Sequence, residues 1–369
     1  MTEPGTSIDD LDTPCLLIDL DRMEANIRSW QAAISAAGVR LRPHVKTHKV
    51  PAIAHMQLAA GAAGITVAKL AEAEVFAAYG CRDIFVAYPL IGPTKWQRAA
   101  ALARSCTLTV GVDGEVGARG LSAAATDAGT TLRVRVEVDS GMHRSGAPAE
   151  RVAELCRLVL TLPGLDLDGI FTFRGIYYPG ATGRSAAEIG REEGEQMVAL
   201  AEALRANGIP IREVSLGSTP TAHAAAQVAG VSEVRPGTYV FGDYLMAERG
   251  AMRYDEVALT ILCTVVSRPA ADKATIDGGS KTFCGDMIPE RQQLKGYACA
   301  IGVEAYLESM SEEHGVVRLG PGADPQVGER IAFHPIHVCT TVNLSDELIG
   351  VRDGRVETVW PILARGKRT

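Results

Sequence analysis

Short apolar, β-branched runs recur through the first two thirds of the chain, with helical stretches between them. Leu41–Val45, Gly64–Val67, Asp83–Ala87, Thr107–Val112, Arg133–Val138, Gly169–Phe173, Glu213–Leu216 and Glu233–Val240 read as strands. Between them, Pro51–Ala60, Leu70–Tyr79, Thr94–Ser105, Gly114–Ala128, Ala149–Leu160, Ser185–Asn207 and Thr221–Ala229 are rich in alanine and leucine at helical spacing. Strands alternating with helices in this way mean βαβ units and a parallel sheet. Eight units in a segment of this size suit an α/β fold of the (β/α)8 TIM-barrel type better than an open doubly wound sheet.

After about Tyr254 the texture changes. Val257–Val266, Lys273–Asp277, Tyr297–Ile301, Gly315–Leu319, Arg330–Phe333, Ile336–Val342 and Val356–Pro361 are strand-like runs separated by Gly, Pro, Asp and Asn. No helical segment is expected among them, which predicts a C-terminal antiparallel β domain. Thr13–Ile18 also reads as a strand, ahead of a first helix over Asp21–Ala37. The expected organisation is therefore residues 1–20 as a strand pairing with the C-terminal domain, 21–254 as the barrel, and 255–369 as the β domain.

Composition narrows the function. The chain has 369 residues, 47% of them apolar, which leaves room for a large core. A net charge of −7 with no basic stripe excludes a nucleic-acid footprint. No apolar run is long enough to cross a bilayer, and Met1 to Asp10 do not read as a secretory signal. Eight scattered cysteines without a CxxC pair fit a reducing, cytoplasmic setting.

In a barrel of this kind chemistry sits at the C-terminal ends of the strands. The first predicted strand ends in Pro43-His44-Val45-Lys46-Thr47-His48-Lys49. A lysine there sits at the barrel mouth, where desolvation and nearby cations suit it to carbonyl chemistry, although a lone lysine is ordinarily a solvated surface residue. His44 shares a strand face with Lys46 and reads either as a neighbour of the same site or as packing. Gly217-Ser218-Thr219, before a predicted helix, reads either as a phosphate cradle or as an ordinary helix cap, and Gly237-Thr238 would form a second side of that cradle. His337-Val338-Cys339 falls on a predicted strand, where alternate residues share a face, so imidazole and thiol would converge. Nitrogen plus thiolate suits zinc better than magnesium. By the same parity His334 would face the other way, and a bare H-x-C also occurs by coincidence.

Taken in order, Asp12-Thr13-Pro14, the Pro43–Lys49 run, Asp139-Ser140-Gly141-Met142-His143-Arg144-Ser145-Gly146, Arg235-Pro236-Gly237-Thr238-Tyr239, Asp277-Gly278-Gly279-Ser280-Lys281 and Pro335–Asn343 form a specific set. The chain resembles, from about residue 8 to 364, the D-serine dehydratase and D-threonine aldolase family of fold-type III enzymes. That resemblance implies an alanine-racemase-like barrel with a C-terminal β domain, a homodimer, and pyridoxal 5'-phosphate (PLP) as cofactor. It implies that Lys46 holds PLP and removes the substrate's Cα proton, and that Arg144 approaches the pyridine ring. Tyr177 would lie near the cofactor, though Tyr178-Pro179-Gly180 departs from the family pattern. Gly217, Ser218, Thr219, Gly237 and Thr238 would hold the phosphate. His337 and Cys339 would bind a divalent metal, zinc in the first instance, with manganese or magnesium as alternatives.

The implied reaction is β-elimination of water from a D-β-hydroxy amino acid, giving a 2-oxo acid and ammonia. The alternative is retro-aldol cleavage to glycine and an aldehyde. Aldolases of the family carry H-x-Asp, a hard oxygen site, and dehydratases carry H-x-Cys, so Cys339 favours elimination. A racemase or a non-catalytic PLP carrier on the same barrel are lesser readings. The substrate's side chain is not specified by these residues. Within the Thr282–Ile288 loop Asp286 is noted, and Arg291 beyond it is the nearest candidate for a substrate carboxylate.

Overall fold

The structure, a computed structural model, describes residues 3–176, 178–286 and 294–369. By contacts the chain divides into two compact units. One comprises residues 29–46, 51–237 and 366–369, and the other 1–28, 47–50 and 238–365.

The first unit is an α/β barrel-like domain. Its eight strands run in the order Arg40–Leu41, Glu233–Val234, Glu213–Leu216, Leu165–Phe171, Leu132–Glu137, Thr107–Val112, Asp83–Pro89 and Ile65–Val67, every pair parallel. A parallel bridge between His44 and Thr66 joins the first strand's extension to the last, with Val45 N–H donating to the Thr66 carbonyl at 2.9 Å. The intervening helices form for legible reasons. In Ala149–Thr161 the buried residues Val152, Leu155, Cys156 and Val159 follow the spacing of one helical face. Ala186–Ala206 starts on a capping box, Ser185 accepting from the Glu188 N–H while Glu188 accepts from Ser185. Several predicted elements are shorter than the pattern suggested, among them the first strand, Arg40–Leu41 in place of Leu41–Val45. The strand Glu233–Val234 stops at Arg235-Pro236-Gly237, because proline cannot donate to the ladder, and a short 3₁₀ turn over Thr238–Val240 follows. The helix expected over Thr221–Ala229 is only Ala222–Ala225.

The second unit is an antiparallel β barrel domain. The strands Lys273–Ile276, Gly315–Leu319, Ala305–Met310, Ala298–Ala300, Arg330–Pro335 and Leu259–Ala270 are neighbours in that order, and the last also pairs with the first, closing the ring. Cys15–Asp19 joins its edge antiparallel to Leu259–Ala270, and on its other side runs parallel to Glu347–Arg352, the one parallel pair described in this sheet. The expectation of a strand over Ile336–Val342 fails. The strand ends at Pro335 and a helix runs Val338–Leu344. Asp243 explains the switch: its Oδ2 accepts the Val338 N–H at 3.1 Å, supplying from a distant part of the chain what an N-cap side chain ordinarily supplies. No helix among the described residues is long and apolar enough to cross a membrane.

The interior of the first unit is partly ionic. Glu233 is fully buried and takes Arg42 Nε at 2.6 Å and Arg135 Nη1 at 2.5 Å, with Ser215 Oγ at 2.7 Å. Arg42 also reaches Asp83 at 2.6 Å, and Arg135 reaches Asp168 at 2.7 Å. The guanidinium of Arg135 lies 4.8 Å from the centre of Phe85, which meets Phe171 edge-on at 4.9 Å. Burial alone would raise the pKa of Glu233, but the two guanidiniums reverse this and hold it far below the usual carboxylate range. A depressed native pKa contributes stability that is present above the unfolded value of about 4.5 and is lost as pH falls below it. Glu233→Gln should therefore destabilise the protein by about 3–5 kcal/mol in urea at pH 7, because it strands two buried cations. The difference from wild type should shrink as pH is lowered through 4, and a constant difference would show that the pair carries no such linkage.

Candidate active site

At the C-terminal ends of the strands the first unit holds a cavity of about 520 Å³. Lys46 and His44, two residues apart on the strand extension, both line it, as do Glu137, Arg144, Phe173 and Gly217. Lys46 Nζ lies 5.8 Å and Arg144 Cζ 4.9 Å from the centre of the Phe173 ring, so one aromatic ring carries two cationic heads. Arg235 forms part of the lining with its terminal nitrogens donating to Ser215 Oγ and, at 2.6 Å, to the Thr172 carbonyl. Burial pushes Arg235 down to about 10, against the opposing pull of Glu233.

This cavity fits PLP on its own chemistry. It offers an amine, a surplus of cationic groups for a phosphorylated anion, and a buried acceptor, Glu137 Oε2, that has no hydrogen-bond partner. Gly217 adds a close backbone approach: φ is +83°, and a Cβ there would meet Ala222 Cα at 3.2 Å, so only glycine brings the main chain this near.

The second unit gathers a different set. His337, extended at φ −145°, caps the Val338–Leu344 helix, and Cys339 stands in its first turn. The two still converge, through a strand-to-helix corner rather than strand parity, close enough for a hydrogen bond between them. His337 Nδ1 lies 2.5 Å from Asp286 Oδ2, which also accepts from Thr340 Oγ1 at 3.1 Å. Cys339 Sγ is 3.2 Å from Thr47 Oγ1 and 3.9 Å from Thr238 Oγ1. Burial would lower the pKa of His337, but Cys339, Asp286 and Asp243 together raise it well above the ordinary value. A site that pulls so strongly on a proton also pulls on a metal cation. With Nδ1 engaged by a carboxylate, Nε2 is left as the ligating nitrogen, the usual arrangement behind a metal-bound histidine. Among the described residues no third His, Cys, Asp or Glu completes a ligand set, so a metal here would keep open positions.

Residues 18–245 match the model of the alanine racemase N-terminal domain, and residues 258–351 that of a putative serine dehydratase domain. The chain is 37% identical to a D-threonine aldolase of Arthrobacter sp., covering 99% of this chain and 95% of that protein. It is 39% identical to the D-threo-3-hydroxyaspartate dehydratase of Delftia sp. strain HT23, covering 90% and 92% respectively. The chain belongs to the D-serine dehydratase and D-threonine aldolase family. It is therefore a PLP-dependent lyase with the alanine-racemase-like fold. A cysteine-to-alanine mutant of D-threo-3-hydroxyaspartate dehydratase, solved in a metal-free form, superposes with a TM-score of 0.87 at 35% identity, covering 96% of this chain and 98% of that one.

Of the residues the family resemblance singled out, the cavity brings together Lys46, Arg144 and Gly217. Ser218, Thr219 and Gly237 are not in its lining, and the Ser218 N–H is already held by Thr221 Oγ1 at 2.9 Å. Thr238 lies beside Cys339 in the other unit. Tyr177 and Arg291 fall outside the described residues. Tyr178 is described, its ring 4.6 Å from the Arg174 guanidinium and its hydroxyl accepting from Arg184. His334 is turned to the Leu259 carbonyl at 3.2 Å. Sequence reading missed Glu137, Asp243 and the contact of Thr47 with the thiol. Glu137 did leave a trace: Arg133, Arg135 and Glu137 alternate with Leu132, Val134 and Val136 along the strand, so charge repeats on one face. Asp286→Asn should weaken metal binding by about 10–100-fold, measured by competition with a chromophoric chelator, while Asp286→Ala should do no less. Unchanged affinity in both would remove Asp286 from the site.

Proposed function

We propose that this member of the family is a D-β-hydroxy amino acid dehydratase, eliminating the β-hydroxyl as water and then taking up one water in the hydrolysis that releases ammonia and a 2-oxo acid. One observation supports it above the others: the donor pair offered by the second unit is an imidazole and a thiol, His337 and Cys339, with a carboxylate behind the imidazole. Nitrogen and sulfur donors select zinc, and zinc is the metal of this proposal. When bound, PLP supplies an electron sink for the pair left at Cα, and a divalent metal supplies a Lewis acid for the β-hydroxyl.

The chain's own residues would divide the rest. Lys46 would hold the cofactor and, as the free amine, take the proton from Cα at Nζ. Gly217, Ser218, Thr219, Gly237 and Thr238 would hold the phosphate, and Tyr177 would stand near the ring. Arg144 is permanently charged and has no proton to deliver to a ring nitrogen. Held beside the ring, Arg144 would make the cofactor a weaker electron sink and put more weight on the residues that assist departure of the hydroxyl. His337 and Cys339, kept in place by Asp286 and Asp243, would hold the ion that eases that departure. In the full proposal, residues 21–254 form a (β/α)8 cofactor barrel and 255–369 carry the metal, in a cytoplasmic homodimer.

Retro-aldol cleavage is the second reading, supported by the 37% identity to D-threonine aldolase along 99% of the chain. D-Threonine separates the two. With PLP and zinc supplied, the expected products are 2-oxobutanoate and ammonia, lost on chelation and in both Lys46→Ala and Cys339→Ala. Glycine and acetaldehyde would instead assign the chain to the aldolases.

A further inference from the structure

Glu137 is the last residue of the strand Leu132–Glu137 and is only 3% exposed. Its Oε1 accepts from Ser145 Oγ at 2.8 Å, whereas its Oε2 is buried without a hydrogen-bond partner. An acceptor left in that state is costly, so the working enzyme has reason to fill it. Three cations border the same cavity. Arg235 already donates through both terminal nitrogens, to Ser215 and Thr172. Lys46, in the function proposed above, gives its amine to the cofactor. Arg144 is different. Among the described residues its guanidinium makes no hydrogen bond or ion pair, and it rests on the Phe173 ring.

The loop that carries Arg144 is otherwise fixed. Asp139 accepts from the Gly141 and His143 N–H groups, both at 3.0 Å, and from the His143 ring at 2.7 Å. The loop's far end is tied to Glu137 itself, Ala147 N–H donating to the Glu137 carbonyl at 2.8 Å. Ser145, which grips one oxygen of Glu137, is the residue directly after Arg144. The backbone is thus set, and the freedom left to Arg144 is that of its side chain.

We propose that Glu137 is a positioning residue: its second oxygen takes one edge of the Arg144 guanidinium and leaves the other edge to face the PLP ring. A guanidinium has five N–H donors in a planar fork, so fixing one edge orients the remainder. Desolvation and the nearby Asp113 raise the pKa of Glu137, while the Ser145 hydroxyl, Arg144 and Arg235 pull it the other way. The inference rests on the reading that PLP occupies this cavity at Lys46.

The test is a double-mutant cycle on PLP binding to the full-length protein, followed by cofactor absorbance and tryptophan quenching. Glu137→Gln should raise the Kd for PLP about tenfold and shift the bound cofactor's absorption maximum when Arg144 is present, but change Kd less than about twofold in the Arg144→Ala background. Ser145→Ala, which only loosens the carboxylate, should show the same dependence on Arg144 and serves if the glutamine variant fails to fold. Equal effects in both backgrounds, or none in either, overturn the proposal while PLP remains trapped on Lys46 by borohydride. If borohydride traps nothing on Lys46 in the wild type, the cofactor reading falls and takes the proposal with it.

Discussion

A carboxylate held between two guanidiniums inside a ring of strands is the constraint on which the first unit turns. Glu233 sits on a strand of two residues, too short to hold register by its ladder alone. Its contacts with Arg42, Arg135 and Ser215 tie together side chains from three other strands or their extensions. Without it, Arg42 and Arg135 would remain in one interior with Asp83 and Asp168 as their ion-pair partners. That arrangement also settles what the cavity above is made of. Because Glu233 is satisfied from below, Arg235 can turn its nitrogens to Ser215 and Thr172 and remain cationic at the cavity floor.

The alternation of strand and helix was legible because each βα unit repeats two periods, and repetition averages out local errors. The parallel order follows from that alternation, whereas the bridge between His44 and Thr66 is a long-range pairing that periodicity does not carry. What the pattern could not carry were elements decided by single distant contacts. Ile336–Val342 alternates well enough for a strand, yet Asp243 accepts the Val338 N–H and a helix begins there. Nothing near position 338 in the sequence announces an aspartate from position 243. The parallel pairing of Cys15–Asp19 with Glu347–Arg352 is likewise a matter of long-range register, invisible to local hydropathy.

The candidate site divides along the same line. Lys46 and His44 were readable from strand parity, and both line the cavity. His337 and Cys339 were paired by parity for a geometry they do not have, and they meet because a corner brings the second residue of a helix back toward its cap. Of the residues that the resemblance implies for the phosphate, Gly217 lines the cavity, and the hydroxyl of Thr238 lies 3.9 Å from the thiol of Cys339. Glu137 and Asp243 are acidic residues whose significance is burial, a property fixed by packing and only weakly by neighbours in the chain.

That same corner bears on how such a site changes over evolution. Cys339 occupies the first turn of its helix, where the exposed N–H groups and the helix dipole favour negative charge of either kind, thiolate or carboxylate. The start of the helix is held by Asp243, which accepts the Val338 N–H and does not involve the side chain at 339. In the proposed function, a soft donor here could be exchanged for a hard one by altering a single codon. Divergence between neighbouring lyase chemistries would then require no remodelling of the fold, only a change in the ion that the proposed site holds.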